Sequence, residues 1–360
     1  MEISLASFVG REPRGISDRD GGPTLKKPVS EQVVVVSGAS SGIGRATARA
    51  AGARGARVVV SARNAEALEA AVAEIEAAGG EGLAVVADAT SHVDSESLCV
   101  RAVERFGRID TFVASVMVTV YAEVEELEPE ELRRVMDVNF MSRALAFRAA
   151  LPHLKTSRGT FIDVNSGLSY RGIPLQAAYC ASKAAGRTFF ESARVELEKE
   201  RCGVDVCLVL PGGTNTPQFD RGRQKLGLQP QPVPPIYQPE IVAEAILFCC
   251  ERPQRELPVS WACQKLLWGQ KLSPRAGDLV LRRNGWRGQT TGEPKPVDSP
   301  DNLWEALPGD PGAHGRFSDA RTSSAWTGAR LRLGKLGSLV ALAAPIVAGA
   351  IGYHGLTKRR

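Results

Sequence analysis

The chain has 360 residues, 43% hydrophobic and 24% charged, a balance that supports a buried core and excludes a wholly disordered, collagen-like or small disulfide-stapled protein. Its seven cysteines are odd in number and lack CxxC spacing, so they read as reduced thiols; four scattered histidines offer no metal-ligand pair, and no metal is expected. The net charge of +5 is uneven: residues 31–263 carry 25 basic and 29 acidic side chains, residues 264–360 carry 15 and 7. An acidic body with a basic tail argues against nucleic acid and for an anionic surface such as a membrane.

Residues 1–30 mix Gly, Pro, Arg and Asp without periodicity and are expected to form a flexible leader; Glu2 and the missing apolar run argue against a signal peptide. From Gln32 short apolar runs alternate with amphipathic stretches. The runs are Gln32–Ser37, Arg57–Ala62, Leu83–Ala87, Thr111–Ser115, Thr160–Val164 and Val204–Leu210. Helical patterns fall at Ala65–Ala78, where Leu68, Val72 and Ile75 share a face, and near Ser95–Phe106, Pro129–Leu151, Tyr179–Glu200 and Pro239–Glu251. Strands of continuous Val and Ile, each followed by a helix, predict an α/β fold over residues 31–263, a Rossmann-like doubly wound parallel sheet with helices on both faces. Pro217, Pro230, Pro232, Pro234 and Pro235 bar regular helix or central strand from Thr214–Gln238. Residues 264–335 are rich in Gly, Pro, Asp and Arg and are expected to form an irregular basic extension, not a second domain.

The first strand runs into Ser37-Gly38-Ala39-Ser40-Ser41-Gly42-Ile43-Gly44-Arg45, and a helical pattern starts at once. Glycines at such a turn let backbone approach a pyrophosphate, and the helix N-terminus supplies N–H groups to it. GxxxGxG after a Val-rich strand therefore predicts a dinucleotide site. The second strand ends in Ala62 and Arg63, without the acid that grips a ribose 2′-hydroxyl in NAD sites. Arg63, with Arg45 after the glycine turn, suits a 2′-phosphate, so NADP(H) is the expected cofactor.

Tyr179 and Lys183 stand four residues apart on one helix face, and Ser166 closes a strand thirteen residues upstream. A neighbouring cation favours a phenolate, so tyrosine, lysine and a serine hydroxyl make a proton-transfer unit for a carbonyl or alcohol.

In order and spacing these motifs resemble the short-chain dehydrogenase/reductase family in its ordinary-length branch, over Glu31 to Ser260. The resemblance rests on the glycine turn, Asp88 after the third strand, Asn139 in Asp137-Val138-Asn139, Ser166, Tyr179, Lys183, and Pro211-Gly212-Gly213-Thr214-Asn215-Thr216-Pro217. It implies that Tyr179 is the general acid/base, that Ser166 hydrogen-bonds the substrate oxygen, and that Lys183 holds the nicotinamide ribose and depresses the Tyr179 pKa. It further implies that Asn139 holds a relay water, that Asp88 sits by the adenine, and that Pro211, Gly212, Thr214 and Thr216 border the nicotinamide. The family usually closes its fourth strand with Asn-Asn-Ala-Gly, where this chain reads Ala114-Ser115-Val116-Met117. The usual Asn ties neighbouring strands and the usual Gly lets backbone lie close to the cofactor. Met117 is expected to crowd the cofactor unless the loop moves away.

Beyond the family pattern, Leu336–Tyr353 is an uncharged run of eighteen residues with basic flanks, long enough for a membrane anchor or an interfacial helix. The expected protein is an NADP(H)-dependent oxidoreductase interconverting a carbonyl and a secondary alcohol. Phe219, Leu226, Leu228, Ile236 and Tyr237 around the Pro-rich stretch hint at a lipophilic substrate. Its expected place is the cytoplasm, with membrane association through the C-terminal run and a homo-oligomer as further partners. The alternative is a catalytically weak NADP-binding sensor or scaffold.

Overall fold

The computed structural model describes residues 25–332. Its first half runs β1 (Val33–Ser37), α1 (Gly42–Gly52), β2 (Arg57–Ala62), α2 (Ala65–Ala77), β3 (Glu81–Val86), α3 (His92–Phe106), β4 (Thr111–Ala114) and β5 (Val120–Tyr121). Then follow α4 (Pro129–Met136), α5 (Ser142–Ser157), β6 (Thr160–Val164), α6 (Ala177–Glu200), β7 (Asp205–Leu210), α7 (Gln218–Arg221), β8 (Arg223–Gln224) and β9 (Leu228–Pro230). The last are α8 (Pro239–Glu251), β10 (Glu256–Pro258), α9 (Trp261–Leu272), α10 (Pro274–Asn284) and β11 (Thr290–Pro294).

Seven strands form one parallel sheet in the order β10-β7-β6-β4-β1-β2-β3. The chain winds outward from β1 in one direction and from β4 in the other, which opens a crevice between their C-terminal ends. Alternation along β1 builds both cores: Val34 and Val36 pack with α1, α2 and α8, whereas Val33 and Val35 pack with α3, α5 and α6. All four valines are buried, each worth about 1.5–3 kcal/mol of transfer free energy. Local signals set the helix ends. Asn64 caps α2 by accepting from Ala67 N–H at 3.0 Å, and Gly107 ends α3 in the left-handed region.

Three departures from the sequence pattern matter for the site. Strand β10 was not expected, because its three residues begin with Glu and end with Pro. The single helix expected over Pro129–Leu151 is two helices joined by a π-helical turn, Asp137–Met141, which carries the buried Asn139. The extension expected to be irregular carries α9, α10 and β11, and β11 pairs antiparallel with β9; it runs without regular structure from Lys295 up to residue 325. It still contributes to the core, where Leu303 is fully buried. The apolar run 336–353 and most of the leader lie outside the described residues. Among the described residues, no helix is long and apolar enough to cross a membrane.

Candidate active site

A cavity of about 510 Å³ opens at the C-terminal ends of the central strands and runs from Arg63 and Asp88 to Tyr179 and Lys183. Gly38, Ser40, Ser41, Gly42 and Ile43 form its wall at the β1–α1 turn. Gly38 has a φ of +83° and lies so near the loop after β4 that a Cβ there would stand 2.7 Å from Val116 N. Gly44 does not reach the cavity: it packs on the Gly38 carbonyl, where no side chain fits. The turn thus presents bare backbone to the cavity, the cradle a pyrophosphate requires. Pro211, Gly212, Thr214 and Thr216 close the opposite wall beyond β7.

At one end of the cavity Arg63, Arg134 and Asp88 come together. Burial, then the like charge of Arg134, lowers the Arg63 pKa. Burial works to raise the Asp88 carboxyl, but the Thr90 N–H and hydroxyl, at 2.9 and 2.8 Å, together with the charges of Arg134 and Arg63, outweigh it and hold the group below its usual range. Neither arginine has an ion-pair partner among the described residues. Both donate instead to neutral carbonyls of the extension: Arg63 to Trp304 and Asn302 at 2.6 and 3.1 Å, Arg134 to Leu303 and Trp304 at 2.9 and 3.3 Å. Arg45, expected beside Arg63, is elsewhere. It is 1% exposed, does not line the cavity, and bonds Glu74 at 2.9 Å, the Ala67 carbonyl at 2.5 Å and Asp310 at 3.3 Å. One helical position past Gly44 turns its side chain under α2, so it braces the fold. Arg134, on α4, takes its place at the cavity, and nothing in its sequence surroundings marks it.

At the other end α6 carries Tyr179 and Lys183 on its buried face, and Ser166 caps the short turn after β6. Lys183 Nζ lies 5.6 Å from the Tyr179 ring centre and donates to the Val164 carbonyl at 2.8 Å. Burial pushes the Tyr179 hydroxyl up to about 12, while the Ser166 hydroxyl pulls the other way. Lys183 goes well below the usual lysine range, first by burial and then by the charge of Arg143. The charge of Arg143 also pulls the Tyr179 hydroxyl downward. Met117, Leu168, Ile173 and Leu281 pack against Tyr179 and Cys180 as an apolar wall.

Asn139, expected to hold a relay water, does not line the cavity. Its Oδ1 accepts from Val118 N–H at 2.8 Å, its Nδ2 donates to the Val118 carbonyl and to Ser182 Oγ, and its own carbonyl is taken by Arg143. It therefore ties the loop after β4 to α6. Strand pairing that the missing family Asn would support comes from backbone, Ser115 N–H to the Ser37 carbonyl at 2.9 Å. The Met117 side chain packs on the cluster of Ile173, Tyr179 and Cys180 and lines the cavity there.

With this geometry, the short chain dehydrogenase family model matches residues 32–226, more than half the chain. The chain belongs to the short-chain dehydrogenase family. Over 338 residues it is 34% identical to the uncharacterized oxidoreductase YxnA of Bacillus subtilis, with 93% of each protein covered, so this relative shares much of the extension. It is 29% identical over 272 residues to 11-beta-hydroxysteroid dehydrogenase A of Sesamum indicum, covering 72% of this chain and 77% of that one. The alcohol dehydrogenase of Thermococcus sibiricus, solved with 5-hydroxy-NADP, superposes with a TM-score of 0.56 at 27% identity, over 63% of this chain and 95% of that one. This short-chain dehydrogenase is an oxidoreductase of a family that uses a nicotinamide cofactor, and its sheet is the Rossmann-like one of its solved relatives.

Proposed function

We propose that this short-chain dehydrogenase is an NADP(H)-dependent enzyme that interconverts an apolar carbonyl and the matching secondary alcohol. The observation that carries the reading is the uninterrupted cavity joining Arg63 and Asp88 to Ser166, Tyr179 and Lys183. A dinucleotide bound along it supplies or accepts the hydride at the substrate carbon. The backbone of Gly38–Ile43 takes the pyrophosphate, and Asp88 faces the adenine. Arg63 and Arg134 take the 2′-phosphate through charge-assisted bonds, in a place with no competing carboxylate after β2. Pro211, Gly212, Thr214 and Thr216 border the nicotinamide.

In reduction Tyr179 gives its proton to the substrate oxygen while Ser166 donates a hydrogen bond to it; in oxidation Tyr179 takes the proton back. Lys183 holds the ribose next to that exchange. Residues 31–263 make the catalytic domain and the extension covers it. The wall of Met117, Leu168, Ile173 and Leu281 supports a lipophilic substrate, in agreement with the steroid activity in the name of the Sesamum relative. The basic-flanked apolar run 336–353 supports membrane attachment, an idea that ends if full-length protein stays in the supernatant without detergent.

The test pairs a titration of NADPH and NADH with a turnover screen of apolar ketones, using Tyr179→Phe as control. Tight NADPH binding with Tyr179-dependent reduction is expected. Absence of NADPH binding overturns the reading, and binding without any turnover reduces it to a sensor.

A further inference from the structure

Helix α5 buries a stripe of Ala146, Phe147, Ala150 and Leu154, and Arg143 stands at the head of that stripe, 1% exposed. All three arms of its guanidinium are held. Nε donates to Asp163 Oδ1 at 2.5 Å, Nη1 to the Asn139 carbonyl, and Nη2 to the Val164 carbonyl at 3.1 Å. Asp163 is fully buried, and its second oxygen accepts from Asn165 Nδ2 at 2.6 Å.

The Val164 carbonyl has a second donor, Lys183 Nζ at 2.8 Å. Two cations thus share one neutral acceptor, and the only carboxylate in the cluster faces the arginine. Lys183 itself is 2% exposed and forms no ion pair among the described residues. A guanidinium does not give up its proton in a protein, whereas a buried lysine does. The repulsion between them therefore falls on Lys183. The charged and titratable groups facing Lys183 are Arg143 from α5, Asp163 from β6 and Tyr179 one turn before it on α6.

We propose that Arg143 is a positioning residue of the proton-transfer centre: locked by Asp163 and sharing the Val164 carbonyl with Lys183 Nζ, it holds a permanent positive charge beside that amine. This rests on reading Tyr179 and Lys183 as the proton-transfer pair. When the Tyr179 O–H bond breaks and its proton passes to the substrate oxygen, as the substrate carbon gains hydride from the reduced dinucleotide, the phenolate left behind lies in the field of Arg143. No proton or electron passes through Arg143. The directions of shift agree: for both Tyr179 and Lys183 the effect of Arg143 is downward and precedes the opposing effect of Asp163.

Removing Arg143 alone leaves a buried unpaired carboxylate and endangers folding. The deciding variant is therefore Arg143→Met with Asp163→Asn, which deletes the pair as a neutral unit. Two readouts apply to full-length protein: the pH dependence of the NADPH dissociation constant, with Lys183→Met marking the limb that belongs to the lysine, and the alkaline limb of kcat for NADPH-dependent reduction of 1-phenyl-1,2-propanedione. In the double variant both limbs move upward, because the downward effect of Arg143 is larger than the opposing effect of Asp163. Asp163→Asn alone moves them downward, and Arg143→Lys, which keeps both the charge and its Asp163 partner, leaves them near their original place. Unmoved limbs in the double variant, whatever its loss of rate or melting temperature, make Arg143 a structural brace and overturn the proposal. If the diketone is not reduced, the NADPH titration decides alone. Failure of the parent reading looks different: no NADPH binding by the unaltered protein, or undiminished reduction by Tyr179→Phe.

Discussion

Arg63 and Trp304, 241 positions apart in the chain, meet where the Arg63 guanidinium donates to the Trp304 carbonyl at 2.6 Å. The contact is one of several that carry residues 302–312 across the edge of the cavity. Asn64 Nδ2 donates to the Leu307 and Gly309 carbonyls at 2.9 and 3.0 Å, Arg221 donates to that of Pro308 at 3.2 Å, and Gly42 N–H donates to that of Gly312 at 3.1 Å. Asn302, Ala306, Leu307 and Pro311 become cavity wall. The extension is thus part of the site.

Cofactor choice follows from the two arginines at that end. NADPH is expected to bind at least about tenfold more tightly than NADH, a difference of about 1.4 kcal/mol. Arg63→Ala should erase most of it, and Arg134→Ala part of it, with NADH affinity little changed. Equal dissociation constants for the two cofactors in the unaltered protein would remove the phosphate site.

The strap over the cavity edge should slow cofactor exchange. Asn64→Ala combined with Asp310→Ala removes two side-chain bonds to carbonyls of the strap and its contact with Arg45. At about 0.5–1.5 kcal/mol per hydrogen bond, NADPH release should accelerate by about tenfold. Stopped-flow displacement of NADPH fluorescence measures this, and an unchanged release rate means that the strap does not gate the cavity.

With its hydroxyl pushed up to about 12, Tyr179 stays protonated through the neutral range and is ready to act as an acid in reduction. Rates of carbonyl reduction should hold across neutral pH and fall only as that proton is lost in alkali. Tyr179→Phe should lower kcat by about 10²–10⁴ while leaving NADPH affinity nearly intact. Near-normal turnover by the Phe variant takes Tyr179 out of the chemistry.

Arg45→Met separates the two arginines that the sequence placed together. Glu74 and Asp310 keep solvent access, so the variant should lose about 1–3 kcal/mol of stability by denaturant unfolding, less than a fully buried pair would cost. Its ratio of NADPH to NADH affinity should stay as it was. A changed ratio would return Arg45 to the cofactor site.

Met117 packs on Ile173 and Tyr179, so Met117→Gly should open the apolar wall. Raised KM for apolar ketones with little change in NADPH affinity is expected. A gain in NADPH affinity instead would mean that the methionine crowds the cofactor after all.

The legible features of this chain are those whose cause lies within one element or one turn. Val33–Val36 read as a doubly buried strand because every residue is apolar, and Gly38 and Gly42 read as a cradle because each holds a positive φ at the cavity wall, whereas Gly44, read with them, packs under the turn. Tyr179 and Lys183 share a helix face by the 3.6-residue period, whatever surrounds them. What only the tertiary structure decided is where charges go once elements pack. Arg45 and Arg63 are equivalent in sequence, yet α2 covers one and leaves the other on the cavity. Arg134 and the carbonyls of residues 302–304 come to Arg63 from distant segments. Arg143 and Asp163, twenty residues apart, pair only because α5 docks beside β6. Hydrophobic period is a local property, but the partner of a buried charge is chosen by packing, since in a low-dielectric interior each charge needs a counterion or a hydrogen-bond acceptor, wherever the fold brings one.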